Sequence, residues 1–432
     1  MKNYFSLLDP LRFGAALFVA VFHLMFYSWA GASIGAPQGF EQLFAADVQF
    51  PNAAPYTWFG WVGVEIFFVI SGFVIANSAS KSSPKEFLLG RALRLYPAVW
   101  IASTLSLIIL LIFLREKASE LILPYFQAML LIPKGINGKW LDAVYWTLAA
   151  EMAFYGLVFC TLLTKRITLR HLAWGLTIYS AAFNAFSMVV LSGALESNML
   201  YWMVLMFRVP GATWMLNHGC FFALGIWLFM SANRTLTTLE WVAVAAACLS
   251  GCAEIYYFSD FLLKAIPAIS NESVFLPILV WAAAVLLIGF AANKNRQQAA
   301  GTASPEAPAY LRTLGLITYP LYLTHNVTGS AIIRVLIDAG LDASLAVWAS
   351  IAMLVLVCWF ICAKIEPAIR RLLKEFFSNF KLRPKAAPPS SLPVPLPGLR
   401  LPLPIRAKGE LHGAAPGAAR ITHLGDPTCA TG

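Results

Sequence analysis

Gly60-Trp61-Val62-Gly63-Val64-Glu65-Ile66-Phe67-Phe68-Val69-Ile70-Ser71-Gly72-Phe73 holds one charged side chain in an otherwise apolar stretch. The apolar run around it extends from residue 57 to 79, and a helix needs about 20 such residues to cross the hydrocarbon core of a bilayer. Comparable runs lie near 11–30, 96–114, 145–163, 172–193, 212–231, 238–258, 274–293, 313–335 and 344–363. The expected fold is therefore all-α, a polytopic membrane helical bundle of about ten transmembrane helices.

Composition agrees. The chain of 432 residues is 59% hydrophobic and 12% charged, about half the roughly 25% charge of an average soluble domain. So little polarity cannot cover a water-facing surface, whereas lipid accepts apolar side chains facing outward. The net charge of +10 does not point to nucleic acid, because no nucleic-acid motif accompanies it and the basic residues lie mostly in short connections and in the C-terminal segment. Six of the seven cysteines fall in apolar runs without CxxC spacing, which argues against a disulfide framework and a zinc site.

Basic residues also set orientation. With the N-terminus inside, the inner side holds Arg12, Lys81, Lys85, Arg91, Arg94, Arg166, Arg170, Arg234 and Arg312, and Arg370 and Arg371 follow the last span. The outer side keeps fewer, among them Arg115, Lys117, Lys139, Arg208 and Arg334. Ala30-Gly31-Ala32 looks like a signal-peptide cleavage site, but Arg12, His23 and the spans that follow favour a retained first helix. The two long outer connections, 31–56 and 115–144, are expected to lie over the outer mouth as partial helices. Residues 1–374 are expected to form the transmembrane domain. The segment 375–432, with Pro393-Val394-Pro395-Leu396-Pro397, is expected to be a disordered cytoplasmic tail because it cannot build a core.

An ionisable group inside a span costs roughly 2.5–3.5 kcal/mol and commonly marks function. The first span carries Arg12 and His23, about 16 Å apart along a helix and on nearly one face. An arginine at the mouth can bind phosphate bidentately, and a histidine deeper in can accept a proton. Each also has a plain structural reading, as a snorkelling Arg and a packed His. Glu65 is an intramembrane carboxylate, Ser71 can bond a neighbour, and Gly63 and Gly72 allow close helix approach. Arg91-Ala92-Leu93-Arg94-Leu95-Tyr96-Pro97 reads as a basic turn before the third span, able to hold an anion or simply to fix topology. The fourth span brings Trp146, Glu151 and Tyr155, with Glu151 at a depth comparable to His23. The ninth brings Tyr319, Tyr322 and His325, with Pro320 expected to kink it.

In this order the blocks resemble the signature of the membrane-bound acyltransferase family 3. Arg12-x10-His23 is similar to its first block and Phe67 to Phe73 to its second. Arg91-x2-Arg94-Leu95-x-Pro97 and Trp146-Thr147-Leu148-x2-Glu151-x3-Tyr155 resemble the third and fourth, and Gly315 to His325 the closing one. Departures are Gly90 where a second basic residue is usual, Glu65 in place of Asp, and Thr318 in place of Ser. The resemblance spans about residues 6–367.

The resemblance implies transfer of an acyl group, chiefly acetyl, from cytoplasmic acyl-CoA to a hydroxyl of a carbohydrate or lipid-linked glycan of the envelope, at a bacterial plasma membrane. It implies acyl-CoA as co-substrate, no permanently bound cofactor and no metal. On that reading Arg12, Arg91 and Arg94 hold the donor phosphates. His23, oriented by Glu151, is general base or acyl carrier, and His325 or Tyr322 stabilises the oxyanion or places the acceptor. Glu65, Ser71, Trp146, Tyr155 and Tyr319 support the site. A different class, a transporter with a buried His/Glu proton relay, fits the same ionisable residues, but no repeated halves are visible in the sequence. A purely structural scaffold leaves those residues without a purpose.

Overall fold

The computed structural model describes residues 7–31, 43, 48–133, 138–164, 166–194, 197–211, 215–299 and 309–379. Every regular element among them is helical. Eight helical segments are long and apolar enough to cross a membrane: Leu8–Ala30, Ala54–Ala79, Pro84–Phe113, Ala143–Leu163, Leu169–Leu191, Thr238–Ala265, Leu276–Asn293 and Ala343–Leu373. They answer eight of the ten expected spans.

The other two differ. The run 212–231 is met by a helix of only 15 residues, Gly219–Asn233, and the 14-residue helix Asn198–Gly211 precedes it. The run 313–335 is broken into Ala309–Thr324 and Val327–Asp338. The helix continues through Pro320 and is interrupted at His325 and Asn326. Proline lacks the N–H that would bond the carbonyl four residues back, and that carbonyl, of Leu316, accepts the Cys362 thiol instead at 3.3 Å.

The elements that build the site are α1 (Leu8–Val21), α2 (Val62–Ala79), α3 (Pro84–Phe113), α4 (Ala118–Leu130) and α5 (Trp146–Leu163). They continue with α6 (Leu169–Leu191), α7 (Asn198–Gly211), α8 (Gly219–Asn233), α9 (Thr238–Ala265), α10 (Leu276–Ala299), α11 (Ala309–Thr324), α12 (Val327–Asp338), α13 (Ala343–Phe360) and α14 (Glu366–Asn379). After α1 the chain winds one π-helical stretch, Phe22–Tyr27, before closing the first span. In the second long connection, 115–144, α4 is the expected partial helix. Most of 32–47 and all of 380–432, the bulk of the Pro-rich segment, lie outside the described residues.

One boundary corrects the sequence reading. Ser83-Pro84-Lys85-Glu86 forms a capping box: Ser83 Oγ accepts from Glu86 N at 3.4 Å, and Glu86 Oε2 accepts from Ser83 N at 2.9 Å. With Pro84 at the first helical position, where its missing N–H costs nothing, α3 starts well before the third apolar run. Arg91 and Arg94 therefore sit within a continuous helix and not in a turn. Three residues apart, they lie on neighbouring positions of one helix face.

Helix α2 is held on two sides by backbone contact. A Cβ on Gly63 would stand 2.6 Å from the Ala15 carbonyl oxygen of α1, and one on Gly72 2.2 Å from that of Phe222 in α8. No side chain fits at either place, so glycine lets α1 and α8 both approach the helix that carries Glu65 and Ser71. Phe68 stacks on Phe222 at 4.6 Å between ring centroids, and Phe154 of α5 meets Phe222 at 4.5 Å, which fills the space between the three helices.

Candidate active site

Helices α1, α2, α3, α5 and α11 line an open-mouthed cavity. Arg12, Arg91, Arg94, Glu151, Tyr155 and Tyr319 are among its lining residues. Arg91 donates from Nη2 to Ser78 Oγ at 3.4 Å. Its Nε and Nη1, and Nε of Arg12, are buried without a hydrogen-bond partner. Glu151 Oε1 accepts from Ser71 Oγ at 2.7 Å and from Tyr155 OH at 2.5 Å. Among the described residues no ion pair within 4 Å engages any of the three arginines. The cavity is thus a basic chamber whose one lining carboxylate is already bonded to two hydroxyl groups.

His23 and His325 form a pair, with His325 Nε2 3.2 Å from His23 Nδ1. His23 Nδ1 also lies 2.9 Å from the Val19 carbonyl oxygen, and His325 Nδ1 lies 2.8 Å from that of Tyr322. Carbonyl oxygens only accept, so both Nδ1 atoms carry protons, and the one His23 Nδ1–H is shared between the Val19 carbonyl oxygen and His325 Nε2. The nitrogen left with a lone pair is His23 Nε2. The π-helical turn that contains His23 is a rare form of helix that occurs frequently at functional sites.

Tyr322 joins the two parts. It lines the cavity, its ring packs on His325 at 5.6 Å, and its carbonyl fixes the His325 tautomer. Phe67, also on the cavity wall, meets the Tyr322 ring edge-on at 5.4 Å.

A third feature escapes sequence reading. Asp142 is fully buried immediately before the turn that starts α5. Its Oδ1 accepts from Asn326 Nδ2 at 2.9 Å and Val144 N at 3.3 Å, and its Oδ2 from Val327 N at 3.3 Å. Burial pushes the Asp142 carboxyl up to about 6, against the pull of those three donors.

The structure brings together other partners than the sequence reading expected for some of these residues. Glu151 makes no hydrogen bond to His23; its partners are Ser71 and Tyr155, in the arginine cavity. The group bonded to His23 is His325. Ser71 does bond a neighbour, donating to Glu151 on the cavity wall. Glu65 and Trp146 do not line the cavity. They belong to a closed cluster in which Glu65 Oε2 faces His218 Nδ1 at 3.4 Å, and Trp146 packs on the His218 ring at 5.4 Å.

That cluster holds Arg208 of α7 paired with Glu254 of α9, and the Arg208 guanidinium also lies 3.8 Å from the Tyr257 ring centre. Asn217 donates to Glu254 at 3.1 Å and to His218 Nε2 at 3.2 Å. His218 and Glu254 fall in apolar runs, so the rule that picked out Glu65 and His23 applies to them equally. Arg208 gave no such signal, because it lies in an expected outer connection. Among the described residues no cluster of three His, Cys, Asp or Glu side chains is arranged to hold a metal ion.

A family model described as an acyltransferase domain matches residues 6–363. No curated protein and no solved structure matches the chain.

Proposed function

The chain belongs to the acyltransferase 3 family, as a membrane acyltransferase, and we propose that it moves an acyl group, most simply acetyl, from acyl-CoA to a hydroxyl of an envelope glycan or lipid-linked sugar. The observation that carries this reading is a basic cavity that shares one wall residue, Tyr322, with a pair of bonded histidines. Three guanidinium groups without an ion-pair partner among the described residues suit the phosphates of coenzyme A, which a planar fork of donors binds bidentately. The excess of basic residues near Arg12, Arg91 and Arg94 puts this end at the cytoplasm, where the donor is made. Both termini are then cytoplasmic and the membrane is the plasma membrane.

With phosphates held by the arginines, the thioester end lies toward Tyr322 and the histidine pair. His23 Nε2 takes the proton of the acceptor hydroxyl. The oxygen forms its bond to the acyl carbon as the carbon–sulfur bond breaks, and the thiolate leaves with the proton that His23 had taken. His325 Nε2 holds His23 Nδ1–H throughout, which keeps the reacting lone pair aimed and steadies the imidazolium when it forms, work that a carboxylate does in a hydrolase triad. Glu151, tied to Ser71 and Tyr155, tempers the repulsion among the arginines when the donor is absent.

The test is transfer of label from radiolabelled acetyl-CoA to envelope glycans in membranes holding equal amounts of each protein. We expect labelling by wild type, loss of at least 100-fold with His23→Ala, and recovery of part of the Arg91→Ala defect at high donor concentration. Undiminished transfer by His23→Ala would remove the histidine from the chemistry.

A further inference from the structure

We infer that Asp142 is a positioning residue for the histidine pair: its buried carboxylate bolts the start of α5 to the break between α11 and α12, immediately after His325. This rests on the proposed role of His23 and His325. The break leaves a helix N-terminus inside the protein, and such an end exposes N–H groups that no turn of its own helix can satisfy. One of them, Val327 N, is taken by Asp142 Oδ2, while Oδ1 takes the Asn326 amide. Asp142 itself is fixed from the other side by Val144 N. The two residues that follow His325 in the chain are thereby tied to the segment that opens the Trp146–Tyr155 block.

The reason to place such a bolt here is geometric. His325 holds His23 through a bond of 3.2 Å, and a ring displaced by about 1 Å would lengthen or misalign it beyond use. His325 directly follows α11, with its backbone N–H bonded to the Leu321 carbonyl oxygen at 3.0 Å. On its C-terminal side the helix is interrupted, and the Asp142 contacts supply the restraint that a continuous helix would have given. Tyr322, whose carbonyl sets the His325 tautomer, is one turn back on α11 and forms part of the cavity wall. The ring is therefore fixed from both directions, by α11 before it and by Asp142 after it.

The experiment compares Asp142→Asn, Asp142→Ala, His325→Ala and the exchange Asp142→Asn with Asn326→Asp, in full-length protein purified in lipid nanodiscs. Turnover is read as CoA thiol released from acetyl-CoA with envelope glycans as acceptor. Donor binding is read separately, from the thermal shift that acetyl-CoA produces. We expect Asp142→Asn to lower kcat by about 10-fold or more, with the KM for acetyl-CoA and the donor-induced shift within about twofold of wild type. The exchange returns an amide–carboxylate bond between the same two positions, and we expect it to recover at least roughly a third of the lost kcat. If Asp142→Ala does not fold, Asp142→Asn and the exchange carry the comparison.

Unchanged kcat in Asp142→Asn, with His325→Ala impaired, would overturn the positioning role and leave the histidine pair in place. A parallel rise in KM and loss of the donor shift would overturn it too, by showing a general loosening of the bundle. Wild-type turnover by His325→Ala would overturn the histidine-pair reading itself, and with it the role of Asp142.

Discussion

Helix α2 contributes to two buried sets of charge, and the two are built on opposite terms. Around Ser71, three arginines and Glu151 line an open cavity, and buried guanidinium nitrogens of Arg12 and Arg91 point at no acceptor. Around Glu65, a single arginine meets Glu254, Asn217 links Glu254 to His218, and His218 faces Glu65. The second set is closed, with Arg208, Asn217, His218, Glu254 and Glu65 all buried. Desolvating a charge is costly unless a partner is present. A set whose charges are paired internally holds helices together, whereas one that leaves guanidinium groups without an ion-pair partner is shaped for a ligand that brings the missing charge. On the proposed function the first set belongs to the chemistry and the second to the scaffold.

The largest effect that could break this distinction lies in the closed cluster. Arg208→Met or Glu254→Gln alone strands a buried partner, and we expect each to destabilise the protein by about 3–5 kcal/mol. Thermal unfolding in detergent reads this directly, and the double change Arg208→Met with Glu254→Leu is expected to recover most of it. Arg91→Leu in the cavity should lose no stability in the same assay. If all of them unfold at the wild-type temperature, the closed cluster is not scaffold.

Next in size is donor recognition. A charge-assisted hydrogen bond contributes about 1.5–3 kcal/mol, so Arg91→Ala and Arg94→Ala should each raise the KM for acetyl-CoA by roughly 10- to 100-fold, at about 1.4 kcal/mol per tenfold. A change in kcat with KM unmoved would mean that these arginines act on the reacting atoms and not on the phosphates.

Both sets contain residues that a linear reading can find, and the difference in how well it finds them is instructive. Span positions follow from hydrophobic length, which depends on local composition alone, and eight of the ten expected spans stand in the structure. Arg12, Arg91, Arg94, Glu151 and the two histidines were visible because an ionisable residue in an apolar run is conspicuous by itself. Their pairing was not visible, because it depends on how helices distant in the chain fall in register. Matching depths along α1 and α5 joined His23 to Glu151, yet α11 brings His325 to His23, while Glu151 turns to Ser71 on α2. The start of α3 was legible in Ser83-Pro84-Lys85-Glu86, a local signal that hydropathy overshadowed. Asp142 was not, since its importance comes from a helix break that lies 184 residues further along the chain.

The finest test of the comparison is Glu151→Gln, because it alters one charge in the cavity while keeping the shape. The amide oxygen can still accept from Ser71 and Tyr155, so the local hydrogen bonds survive with neutral strength. The arginines lose their one lining counter-charge, and mutual repulsion between Arg12 and Arg94 is less tempered. In a cavity open to water such a change is worth about 1 kcal/mol or less, so stability should fall slightly. A donor that brings phosphate charge then meets a more positive chamber, and the KM for acetyl-CoA should fall by roughly two- to fivefold, at about 1.4 kcal/mol per tenfold. Turnover should stay near wild type, because Glu151 has no bond to either histidine. Steady-state kinetics on membranes with varied acetyl-CoA separates the two quantities. A collapse of kcat with KM unchanged would return Glu151 to the reacting atoms, which is where its spacing in the sequence first placed it, and would merge the cavity and the histidine pair into one catalytic unit.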